Sequence, residues 1–232
     1  MPKVYKYKQL EQHFWDLYKQ YGDYGRAWAE LHDWYVTSGP GSQKTDPDQS
    51  WRSSSGRAFE HIAVRLIHAE VSSGRLASLI RIVRWDQLDC QIQRGILAEP
   101  VWPKGNITQS EIAESKVDVI ALAVENGRPY RIVSVYSCKS SVAERYQQDL
   151  FWAEKIKGRG IKFCFVTIDE DFVRHATTVI AAGAAKGKTL PLAQAVYDRI
   201  YLLTNETIIT DSQVFRRVET VVEDLDLWLK AY

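Results

Sequence analysis

Cysteine, methionine and long apolar runs are what this 232-residue sequence has least of. Its three cysteines, Cys90, Cys138 and Cys164, are odd in number and far apart, with no CxxC and no Cys/His pair at zinc spacing. That argues against a disulfide framework or a zinc finger, and the thiols read as reduced cysteines of a cytoplasmic protein. No stretch approaches the roughly 20 apolar residues a membrane span requires, so no membrane partner is expected. The basic start, MPKVYKYK, is followed by Gln9, Glu11, Gln12 and His13 where a secretory signal would be apolar. There is no P-loop, no GxGxxG and no internal repeat, so no nucleotide cofactor is expected. Neither sign of charge dominates: the formal net charge is +1, and any affinity for nucleic acid must rest on local features.

What is present is ordinary globular material, 45% hydrophobic and 25% charged, enough for one good core. Aromatic and apolar residues over 8–36 recur at three- and four-residue steps around Gly22 and Gly25, which suggests two short helices. The run Thr37–Ser55 is rich in Ser, Gly, Pro, Asp and Gln and reads as a loop. Residues 1–50 are therefore expected to form a helical extension with its loop, and 51–232 the core. A helix is expected from Gly56. KVDVIALAV and RIVSVYSCK, joined at Asn126-Gly127, should form an antiparallel pair. A helix along Val142, Tyr146, Leu150, Ala153 and Lys157 should follow, then the strand IKFCFVTI. An Ala-rich helix over 172–185, the strand RIYLLT and a final helix over 212–229 complete the order. Strands alternating with helices imply an α/β fold, with helices flanking a central mixed β-sheet.

Period-two alternation in RIVSVYSCK puts Val133, Val135, Ser137 and Lys139 on one face. A two-residue hairpin would set Asp118 opposite Val135, and a six-residue loop would set it opposite Ser137. Both registers leave Asp118 on the face of Lys139. A carboxylate and an ammonium projecting together from a sheet are costly unless paired or used. A structural ion pair is one outcome. The other is catalysis, in which a carboxylate oxygen holds Mg²⁺ and the lysine orients or deprotonates the water that attacks a phosphodiester.

SKVDVI, with 18 residues between Asp118 and SCKSSVAERYQQ, resembles the core of PD-(D/E)XK restriction endonucleases, over roughly residues 53–205. More narrowly, KSSVAERYQQ is similar to a segment of the enzymes that cut CCGG-like and CC(A/T)GG-like sites. The resemblance implies a restriction-endonuclease-like core, Mg²⁺ at Asp118 with Cys138 beside it, double-stranded DNA as partner and a homodimer. It makes Glu144 and Arg145 base readers, since Arg fits guanine O6/N7 and Glu accepts from cytosine N4. It also assigns Ser140, Ser141 and Gln148 to the DNA.

Two departures stand out. Ser137 occupies the position of the family's second acid, and Ala143 that of a basic residue. For the missing carboxylate there are two candidates: Glu60, on a helical side with Val64 and Ile67, and Glu154, fifteen residues after the lysine. Arg52 and Ser53 could bind phosphate near a helix start, and Trp51 could touch DNA. His61, His68 and His175 lack ligand spacing and read as structural. Site-specific cleavage is the favoured reading. Repair or structure-selective cleavage, and a non-catalytic DNA-binding or assembly role, are the alternatives.

Overall fold

The computed structural model describes residues 4–88, 98–101, 111–114, 117–140, 146–177, 189–208 and 213–231. The N-terminal aromatic segment forms α1 (Val4–Tyr21) and α2 (Tyr24–Thr37), separated at Gly22, whose φ of 64° suits a residue without Cβ. Asp23 caps α2 by accepting from the Arg26 amide at 2.6 Å. The long helix α3 runs from Pro47 to Ser73 and takes in much of the expected loop. Asp46 accepts from the Gln49 amide at 2.9 Å and Pro47 presets the first turn, a start signal that outweighs the Ser/Gly-rich composition beyond it. Trp51 lies inside this helix with its ring 5.2 Å from Trp28 and 5.4 Å from Tyr35, as packing rather than a loop-borne DNA contact.

Six strands make the main sheet in the order β1-β4-β5-β6-β7-β8. They are β1 (Ile80–Arg84), β4 (Val119–Glu125), β5 (Arg128–Cys138), β6 (Lys162–Thr167), β7 (Arg199–Leu202) and β8 (Phe215–Arg217). The β1-β4-β5 pairs are antiparallel and the β5-β6-β7-β8 pairs parallel, so the sheet is mixed. A separate pair joins β2 (Ala98–Val101) to β3 (Glu111–Glu114). The remaining helices are α4 (Tyr146–Lys157), α5 (Glu170–Thr177), α6 (Thr189–Val196) and α7 (Val221–Lys230).

Alternate residues of β4 sort to two apolar layers. Val119, Ala121 and Ala123 join α1, α2, α3 and α7 on one side, while Ile120 and Leu122 join α4, α5 and α6 on the other. Leu10, Phe14, Leu31 and Tyr35 share the first layer with Phe59 and Val119. The N-terminal helices therefore build the core's own layer, and the expected boundary at residue 50 falls within α3. The final helix starts at Val221 instead of 212, because Phe215–Arg217 pairs in parallel with β7 as a short edge strand. The expected Ala-rich helix is α5 as far as Thr177, and its remainder lies outside the described residues.

The hairpin joins both expected registers. Asn126 (φ 50°) and Gly127 (φ 77°) make a tight two-residue turn with Glu125 opposite Arg128. Two bulges then each insert one residue of β5, between the partners of Val124 and Ala123 and between those of Leu122 and Ala121. By Val119, which pairs with Tyr136, the register matches that of the wider loop, and Asp118 is carried to the Ser137–Lys139 end of β5. A Cβ on Gly127 would meet nothing within 4 Å, so Gly127→Ala tests the left-handed backbone alone. It is expected to lower unfolding stability in urea by about 1 kcal/mol with cleavage unchanged. An unshifted midpoint would contradict the turn.

Candidate active site

Asp118 sits where the β4–β5 pairing ends. Its amide donates to the Tyr136 carbonyl at 3.0 Å, and its Oδ2 accepts from the Cys138 amide at 2.7 Å. The same oxygen takes the Lys139 ammonium at 2.7 Å. Lys139 is anchored in turn by its own amide, which donates to Val166 of β6 at 3.0 Å. The expected pair therefore shares one end of the sheet, with side chains only 11% (Asp118) and 15% (Lys139) exposed.

Two helices on opposite faces bring further carboxylates. From α3, Glu60 Oε1 stands 3.3 Å from Lys139 Nζ. From α4, Asp149 accepts from the Tyr197 hydroxyl at 2.7 Å. Burial and the neighbouring Asp118 carboxylate raise the pKa of Glu60, while Lys139 pulls it down. Burial likewise raises Asp149 against the lowering effect of Tyr197, Ser137 and Lys139. For Lys139, burial disfavours the charged form, but Asp118 and Glu60 more than reverse this and hold its pKa above the usual lysine value. The side chain is thus held as an ammonium in this metal-free arrangement.

Glu60 and Asp118 both meet the one ammonium, so together they carry one negative charge that it does not compensate when both are ionised. Burial and the Asp118 charge both disfavour the ionised form of Glu60, and a divalent cation would offset each of them. Hard carboxylate oxygens are also the ligands magnesium prefers. The donor chemistry therefore fits the ion. Among the described residues no three His, Cys, Asp or Glu side chains stand close enough to ligate a metal, and Lys139 fills the space between Glu60 and Asp118. Cys138 offers no thiolate ligand, because its side chain is fully buried and burial, then Asp118, push its thiol pKa well up. Its amide is what meets Asp118.

The family model described as "BsaWI restriction endonuclease type 2" matches residues 100–225, just over half of the chain. The chain belongs to that family. It is a type II site-specific DNA endonuclease. The fold agrees: a crystal structure of the specific AgeI–DNA complex superposes with a TM-score of 0.61 at 17% identity, covering 93% of this chain and 78% of that one. A pre-specific BsaWI–DNA complex is matched at 15% identity over 98% and 94% of the two chains, with a TM-score of 0.45 that bears no argument. No curated protein matches the sequence.

The other expected site residues of this BsaWI-family endonuclease divide. Glu154 lies exposed on α4 away from the apolar layer, whose helix face is Asp149, Ala153 and Ile156. The expected face through Leu150 and Lys157 was misphased, since Leu150 is 49% exposed. Asp149 is the acid the sequence reading missed, and the available signal was its place four and seven residues before Ala153 and Ile156. Arg52 and Ser53 are exposed in the second turn of α3, where Ser53 donates to the Ser50 carbonyl at 2.9 Å, so no free helix amides stand beside them. Ser140 is half-buried next to Lys139. Ser141, Glu144 and Arg145 lie outside the described residues, as do the side chains of Gln148 and His175. His61 contacts Arg84 at 2.8 Å and stacks on Tyr7, and His68 faces Ser72 at 3.2 Å, as structural groups.

A pH dependence follows. Carboxyls with raised folded-state pKa bind protons that the unfolded chain has already released. The stability of the metal-free protein therefore falls as pH rises from the ordinary carboxylate range through the raised values of Glu60 and Asp149. Thermal melts of metal-free protein are expected to show this decline, and Glu60→Gln to make it shallower. An equal slope in parent and variant would mean that Glu60 carries no such strain.

Proposed function

We propose that this endonuclease hydrolyses both strands of a short double-stranded DNA site with magnesium, using Asp118, Glu60 and Asp149 as the carboxylates and Lys139 as the cation at the scissile phosphate. The observation that carries the reading is the meeting of Asp118 and Glu60 on one ammonium, with Asp149 entering from the opposite helix and Ser137 standing where a nearer acid would otherwise be. Bound there, the ion would supply Lewis-acid polarisation of the phosphate and a more acidic water. Asp118, fixed by the Cys138 amide, and Glu60, from the opposite helix, are the groups to hold it.

The charged Lys139 side chain orients the attacking water and stabilises negative charge that builds on the phosphate. Glu144 and Arg145, in the segment between Lys139 and α4, are the proposed base readers, and Ser140, Ser141 and Gln148 the supporting DNA contacts. A homodimer would present two equal sites to the two strands of a two-fold sequence.

Asp118→Asn and Lys139→Ala are each expected to slow cleavage of plasmid in magnesium by roughly two to three orders of magnitude while a mobility shift on DNA persists. Parental rates in either variant would refute the site. For the readers, Arg145→Ala is expected to lose about 1–3 kcal/mol of discrimination at one base pair. Sequenced fragment ends that keep the same preference would remove Arg145 from that role.

A further inference from the structure

We infer that Tyr197 is a positioning residue for the metal site, its hydroxyl holding the Asp149 carboxylate in the orientation at which it serves the ion. This rests on the reading of Asp149 as a metal carboxylate. Tyr197 lies just before β7, far in sequence from every group discussed above, and its side chain is 2% exposed. Its ring is stacked against Phe163 at 4.9–5.5 Å together with Phe165, at 15° and 22° between planes. The backbone is fixed on both sides, since the Tyr197 amide donates to Ala193 at 3.0 Å and the Asp198 amide to Phe163 at 2.8 Å.

A ring held this way leaves its hydroxyl one direction, and that direction ends on Asp149 Oδ2 at 2.7 Å. Asp149 needs such support. It comes from a helix rather than from the sheet, and a half-buried carboxylate left free to rotate would lose both this hydrogen bond and its bearing on Asp118 and Lys139. The tyrosine at 197 thus anchors an acid supplied at a distance.

Tyr197→Phe removes the hydroxyl and keeps the stacked ring. Binding of Mn²⁺, followed by loss of the free-ion electron paramagnetic resonance signal, should weaken about tenfold. The Mg²⁺ concentration for half-maximal plasmid cleavage should rise in step, with the rate at saturating metal affected less. Asp149→Asn should weaken Mn²⁺ binding at least as much. A Tyr197→Phe variant that melts earlier without metal but binds Mn²⁺ as the parent does would overturn the positioning role and leave Asp149 in place. Parental Mn²⁺ affinity in Asp149→Asn would overturn the reading of Asp149, and this inference with it.

Discussion

The contact between Asp118 Oδ2 and its two donors, the Cys138 amide and the Lys139 ammonium, is the constraint on which the rest of this site depends. Burying a carboxylate costs several kcal/mol unless its charge is paired and its lone pairs are used. Here one oxygen does both, at the point where two strands part. Glu60 and Asp149 are then tolerable as neighbours because Lys139 pulls their proton affinity down against the burial that raises it.

That concentration of charge is possible because the sheet is covered on both faces. α3 packs on one apolar layer and α4 on the other, and each helix brings one acid to the sheet's end. The parallel neighbour β6 fixes the backbone of Lys139 through Val166, so neither strand can move without moving the pair. A site assembled from one strand end and two helices moves only with the whole sandwich, which gives the geometry a rigid reference.

The bulges in β5 show how local irregularity serves this. A tight turn at Asn126-Gly127 favours rapid, unambiguous pairing, but its register alone would bring Asp118 to the level of Val135. Two inserted residues keep Asp118 on the face of Ser137 and Lys139, since a shift of two restores the same face, but the bulge at Val133 turns that side chain into the layer opposite that of Val135, against the expected alternation. The shared face of Asp118 and Lys139 was therefore legible in the sequence and survived an error-prone detail, while the register was a matter of which residues the sheet could leave unpaired.

By itself, the sequence determined the alternation that puts Asp118 and Lys139 on one face, the helix bearing Glu60, the turn between the strands, and the family resemblance in KSSVAERYQQ. These follow from periods and spacings of a few residues. Only the tertiary structure decided the phase of α4, which turns Asp149 inward and Glu154 outward, and the pairing of the short strands β1 and β8. It alone brought Tyr197 to Asp149, 48 positions away. The reason is physical: a helix's buried face and an edge strand's partner are fixed by what packs against them, and those surfaces come from distant parts of the chain.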